Sequence, residues 1–134
     1  MLTENEVIDA VEKFLENKGY TLMHKSNTNS RGVDLEMKDP RKKIIKIEAK
    51  GQTSSKPTSN RNGEEFNSSQ KEDHVAKALL TACEYLEGGN YEAGIALPGD
   101  KRHKDLINGI KNTLKKNGIR VFFVDPEDNN VTEF

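Results

Sequence analysis

The stretch KIIKIEAKG, Lys43 to Gly51, places a carboxylate and an ammonium, Glu48 and Lys50, on one face of an alternating segment. Ile45, Ile47 and Ala49 point the other way, the period of a half-buried strand. A second alternating segment, GVDLEMK, sets Val33, Leu35 and Met37 against Asp34, Glu36 and Lys38. If both odd-numbered sets face one core, opposed residues in a hairpin must have numbers that sum to an even value. A two-residue turn at Pro40-Arg41 pairs Asp39 with Lys42 and turns one apolar face outward. A three-residue loop, Pro40 to Lys42, pairs Asp39 with Lys43, Glu36 with Lys46, and Asp34 with Glu48. Two carboxylates opposed on adjacent strands repel, and a hard divalent cation between them relieves the repulsion. Lys50, two residues along the same face, reaches whatever that ion binds.

The elements that must position these residues are legible from caps and periods. TENE, Thr3 to Glu6, fits a capping box, and Val7, Val11, Phe14 and Leu15 form a stripe that stops at Gly19, predicting a helix over about 3–18. YTLMHK reads as a short strand, followed by the two strands above. A second capping box, Ser69 with Glu72, opens a helix that carries Val75, Leu79, Cys83 and Leu86 inward and ends at EGG, Glu87 to Gly89. AGIAL, Ala93 to Leu97, is apolar without alternation, as in a strand covered on both faces. A third helix near His103 to Asn117 leads into the strand IRVFFV, so the last three elements form a βαβ unit with parallel pairing. Thr53 to Ser69 is a polar loop longer than most connections.

The order helix, three strands, helix, strand, with GVD entering the second strand and EAK closing the third, resembles the PD-(D/E)xK nuclease superfamily, in its Holliday-junction-resolvase and Mrr-type branch. The resemblance covers roughly residues 3–97. Val33 stands where the named motif has proline. What it implies is an α/β, restriction-endonuclease-like three-layer fold, a mixed central sheet flanked by helices in the order α-β-β-β-α-β-α-β. It implies metal-dependent hydrolysis of DNA phosphodiester bonds, in restriction, repair or recombination. By type and position Asp34 matches the motif aspartate, Glu48 its D/E and Lys50 its lysine. Asp34, Glu48 and the Ala49 carbonyl are then expected to hold Mg²⁺ or Mn²⁺, and Lys50 to orient the attacking water or offset developing negative charge. Some members add an acidic residue from the first helix, for which Glu6 is the candidate, although its capping role also explains it. Others place a glutamine after the lysine strand, for which Gln70 is the candidate. His74, one turn on, could face the same site but is more readily a polar surface residue.

Composition bounds the alternatives. The 134 residues suffice for one domain, and at 33% hydrophobic and 32% charged the chain is polar yet has enough periodic segments to fold. No apolar run approaches the roughly 20 residues needed to span a bilayer, and the N-terminus lacks a leader pattern, so a cytoplasmic protein without a membrane partner is expected. Cys83, the single cysteine, permits no intrachain disulfide and is expected to pack. The net charge of −1 hides two basic blocks: Lys and Arg outnumber Asp and Glu by 10 to 4 over residues 24–61 and by 7 to 1 over 101–120. If the fold joins them they can follow a phosphate backbone, with Lys56, Arg61, Lys101 and Arg102 as the expected contacts. The other class of function is a catalytically inactive nuclease-fold module that binds nucleic acid; a small interaction domain with surface ion pairs is a third. Cleavage of both strands of a duplex would be simplest for a homodimer.

Overall fold

The structure, a computed structural model, describes residues 1–27, 32–54 and 63–134. Its elements are α1 (Glu4–Glu16), β1 (Thr21–Lys25), β2 (Leu35–Lys38), β3 (Ile44–Ala49), α2 (Ser68–Glu87), β4 (Tyr91–Pro98), α3 (Lys101–Asn108), α4 (Lys111–Lys116), β5 (Ile119–Val124) and β6 (Val131–Glu133). The six strands lie side by side in chain order. β1, β2 and β3 form an antiparallel meander, β3, β4 and β5 run parallel, and β6 returns antiparallel on β5. The protein is thus an α/β fold with a mixed sheet between helices.

The hairpin has the register that parity and loop length require. Leu35 opposes Ile47, Glu36 opposes Lys46 and Met37 opposes Ile45. Lys42 takes the left-handed conformation at φ 69°, the last position of a three-residue loop. Asp39 Oδ1 accepts from the N–H groups of Arg41 and Lys43 at 2.9 and 2.8 Å, fixing that turn. Register then decides the layers. Leu35, Met37, Ile45, Ile47 and Ala49 pack with Val7, Ile8, Val11 and Leu15 of α1 on one face of the sheet. On the other face α2, α3 and α4 pack on Ala93, Ile95, Leu97, Val121 and Phe123. Both crossover connections, α2 and the α3–α4 pair, lie there, as one-handed connections between successive parallel strands require.

Several expectations are corrected. The cap of α2 is Asn67 with Gln70, in reciprocal hydrogen bonds, two residues earlier than the Ser69–Glu72 box. Cys83 is exposed, because the buried line of α2 runs through Val75, Ala78 and Ala82, and the next residue is turned about 100° away. The single helix near His103 to Asn117 is two. Asp100 caps α3 at His103 N–H, Gly109 ends it, and Ile110 leaves helical geometry at φ −128° before α4 begins. The apolar stripe survives the break, with Ile107 and Leu114 both buried. β6 was not anticipated, since three exposed or half-exposed residues carry no alternation signal. Of the loop read over 53–69, residues 55–62 lie outside the described residues.

Gly51 closes β3 against the start of α1. A Cβ there would stand 2.5 Å from Glu4 N and 2.7 Å from the Thr3 carbonyl carbon, both main-chain atoms that cannot swing aside. Gly51→Ala should therefore cost about 3 kcal/mol, at the upper end of overpacking effects. Urea unfolding checks it; a midpoint unchanged from wild type would mean that these two segments do not meet.

Candidate metal and phosphate site

Asp34 immediately precedes β2, and its side chain continues the hairpin ladder where the main-chain pairing stops. Oδ2 accepts from Ala49 N–H at 2.9 Å and Oδ1 from the Ser26 hydroxyl at 3.1 Å. The residue is 8% exposed, so its carboxylate has little freedom to turn. Glu48 faces the same side of the sheet, toward α2, beside Asp34, whose charge it feels. Tyr85 of α2 donates a long hydrogen bond, 3.4 Å, to Glu48 Oε2. Lys50 Nζ lies 3.5 Å from Glu48 Oε1, with both side chains more than four-fifths buried.

The electrostatics follow from this crowding. Burial pushes the Glu48 carboxyl up to about 7, with the negative charge of Asp34 as the next cause; Lys50 pulls it down and Glu4 adds to the rise. Burial, then the charge of Glu48, raises the Tyr85 phenol, which keeps it protonated as a donor. Burial and the nearby Lys50 ammonium lower the His74 imidazole, whose ring stands edge-on to Phe66 at 4.5 Å.

These shifts carry a prediction for the metal-free protein. The folded value of about 7 lies above the ordinary 4.5, so the fold takes up a proton that the unfolded chain does not. That contribution is complete below about pH 4.5 and is lost as pH rises through about 7. Glu48→Gln removes the titration, and in EDTA at pH 8 it should be more stable than wild type by on the order of 1–3 kcal/mol, with the difference shrinking toward pH 5. Urea unfolding at both pH values measures it, and parallel pH profiles would show that Glu48 is not buried against Asp34.

The other sequence-derived candidates are placed as follows. Glu6 is engaged at the helix cap, accepting from the Thr3 hydroxyl at 3.1 Å, and it lines a cleft with Asp9, Lys13 and Asn129. The α1 carboxylate whose charge reaches Glu48 is that of Glu4, two residues earlier and about 200° round the helix. Gln70 serves the α2 cap. Lys101 pairs with Asp105, and Arg102 ties α3 to α2 through Glu72 at 3.0 Å. Lys56 and Arg61 lie outside the described residues. Among the described residues no three His, Cys, Asp or Glu side chains gather in a metal-binding arrangement. No described helix is long and apolar enough to cross a membrane.

Beside the carboxylate pair, at the carboxyl ends of β3 and β4, a second polar cluster went unread in the sequence. Asp100 Oδ2 accepts from Gln52 Nε2 at 2.9 Å and from Lys71 Nζ at 3.2 Å, and lies 2.8 Å from His103 Nδ1. Burial opposes ionisation of Asp100, but the His103 hydrogen bonds outweigh it and hold the carboxyl well below its usual range. His103 is fully buried and Lys71 is 5% exposed. A lysine inside a helix's apolar stripe was the available signal, since Lys71 stands four residues before Val75.

No family model and no curated protein matches the chain. Among solved structures, that of Pyrococcus furiosus SfsA in complex with Ca²⁺ is similar to 95% of this chain at 15% identity and a TM-score of 0.37. This chain spans 58% of that protein's length, and a likeness at that level carries no argument about function.

Proposed function

We propose that this protein is a metal-dependent nuclease that hydrolyses DNA phosphodiester bonds on a restriction-endonuclease-like fold, with Mg²⁺ or Mn²⁺ held by Asp34, Glu48 and the Ala49 carbonyl. The observation that carries the reading is the hairpin geometry that sets Asp34 beside Glu48 and an ammonium, with Asp34 Oδ2 2.9 Å from Ala49 N–H and Lys50 Nζ 3.5 Å from Glu48 Oε1. A carboxyl pushed up to about 7 by burial and then by the charge of a second carboxyl is a site whose repulsion a divalent cation relieves. Oxygen donors in that number suit a small hard ion that keeps part of its water shell. Such an ion supplies a Lewis acid for a phosphoryl oxygen and a more acidic bound water.

The chain's own residues do the rest. Asp34, clamped by Ser26 and Ala49, holds its carboxylate in one orientation. Tyr85 restrains Glu48 from the α2 side, and Glu4 supplies outer negative charge from α1. Lys50 leaves the sheet beside Glu48 with its main-chain N–H bonded to Ala96 O at 3.0 Å, so its ammonium is positioned to orient water or to meet negative charge building on phosphate. Lys101, Arg102, Lys56 and Arg61 belong to the same proposal as contacts to the phosphate backbone.

One observation favours a second reading. The described residues bring two rather than three metal-binding side chains together, which also suits a nuclease-fold module that binds nucleic acid without cutting it. The deciding experiment incubates the protein with plasmid, linear, single-stranded and four-way-junction DNA in Mg²⁺, Mn²⁺ or EDTA. Cleavage of at least one substrate, abolished by EDTA, is expected. Binding without cleavage under every condition selects the second reading.

A further inference from the structure

Gln52 follows Lys50 by two residues, is 4% exposed, and has a partner for its N–H, its carbonyl and both ends of its side-chain amide. Its main-chain N–H donates to Leu2 O at 2.7 Å, and Oε1 accepts from Leu2 N–H at 2.9 Å, so both main-chain groups of Leu2 are held by one residue. Its carbonyl accepts from Phe66 N–H at 2.7 Å, and Nε2 donates to Asp100 Oδ2 at 2.9 Å. Three segments remote in sequence therefore meet on a single residue: the residues that lead into α1 and the β4–α3 turn through its side-chain amide, and the residues that lead into α2 through its carbonyl. Each borders the candidate site. Leu2 precedes Glu4, whose charge Glu48 feels; Phe66 stands against His74; and the Asp100 cluster forms the rim at the carboxyl ends of β3 and β4. The Thr3–Thr53 bridge and the close approach of Gly51 to Glu4 N reinforce the first of these.

An apolar side chain of the same volume would fill the space at least as well as this amide. What the amide adds is a fixed relation between strands and helices that no local sequence specifies. We infer that Gln52 is a positioning residue for the site: by clamping Leu2 it holds the α1 N-terminus, and Glu4 with it, against Gly51 at the end of the strand that carries Glu48 and Lys50. Gln52 itself touches neither the ion nor the substrate. The inference rests on the metal-dependent reading above and assigns the supporting shell of that site, where loss of a partner characteristically weakens metal affinity by about 10- to 100-fold.

The test is calorimetric titration of the full chain with Mn²⁺, in wild type, Gln52→Met, Glu4→Gln and the double variant. Gln52→Met should weaken Mn²⁺ by about 10-fold or more. Because it acts through Glu4, the double variant should be no weaker than the weaker single one. Ile107→Val, in the core between α3 and the sheet and remote from Leu2, gives a general loss of stability for comparison and should leave Mn²⁺ affinity unchanged. A purely structural glutamine predicts multiplicative effects in the double variant, and that result, or wild-type affinity in Gln52→Met, overturns the inference while the metal site stands. Hydrogen exchange on the wild type adds a measurement that needs no variant. Since coupling is reciprocal, Mn²⁺ should slow exchange at the amides of Leu2, Gln52 and Phe66. Unchanged exchange at those amides in protein that binds Mn²⁺ also overturns it. A wild type that binds no Mn²⁺ overturns the metal-dependent reading and the positioning role together.

Discussion

Lys50→Ala should lower the single-turnover rate of DNA cleavage by about 10²–10³, the range found when one preorganised donor to a developing charge is removed. DNA affinity should fall little, since an interaction made mainly in the transition state contributes to rate rather than to binding. Metal affinity should change modestly, through a traceable route. Lys50 now pulls the Glu48 carboxyl down, so without it Glu48 holds its proton more tightly and competes better with the ion. Raising the pH should restore that part of the loss and leave the rate defect. The alternatives predict differently. For a binding module the same substitution weakens DNA affinity and reduces the salt slope by about one, with no cleavage to lose. For a surface ion pair it costs at most about 1 kcal/mol of stability. Single-turnover kinetics and salt-titrated binding on the two proteins separate the three.

Asp34→Asn should abolish Mn²⁺ binding and with it the metal-dependent rise in melting temperature, while the fold persists. The reason for persistence is geometric. An asparagine can present its oxygen to Ala49 N–H and its amide to the Ser26 hydroxyl, which accepts as readily as it donates, so both bonds of Asp34 can be remade. The charge cannot be remade. Without it the Glu48 carboxyl should return toward its ordinary range, because the second largest cause of its rise is gone. The metal-free variant should therefore be at least as stable as wild type at pH 8, and should gain nothing from Mn²⁺ under conditions where wild type is stabilised by mass action. Calorimetry and thermal melts in EDTA and in Mn²⁺ measure both halves. A wild-type response to metal in Asp34→Asn would place the ion elsewhere.

Local chemistry written in the chain accounts for much of this architecture. The Thr3 cap and apolar stripe place α1, and parity with a three-residue loop sets the β2–β3 register. Within that hairpin, period two puts Glu36, Lys46, Glu48 and Lys50 on one face whatever the rest of the molecule does, so the pattern that motivates the Lys50 and Asp34 experiments was readable at the start. Turn chemistry was less decisive where two caps were available. Asn67 and Ser69 can both begin a helix, and three residues on from each stands a side chain able to close the box. The structure uses the earlier one, so Gln70 caps the helix and Glu72 is free to meet Arg102.

What the chain could not express locally is which distant segments meet. Glu4 and Glu6 are both acidic and both in the first turn of α1; only the packing of that helix's start on Gly51 and Gln52 brings the charge of Glu4 to bear on Glu48 and leaves Glu6 at the cap. Gln52 and Asp100, 48 residues apart, look like loop residues in sequence, yet they share a hydrogen bond in the interior. Cys83 and Lys71 show the same limit in reverse, one read as buried and found exposed, the other unremarked and found inside. Sequence alone determined the faces of β2 and β3 and the stripe of α1, because side-chain periodicity is a property of the backbone. The tertiary structure decided which carboxylate, amide and ammonium gather around the candidate site, because a buried polar group is satisfied by whichever partner the fold brings to it, however far away in the chain.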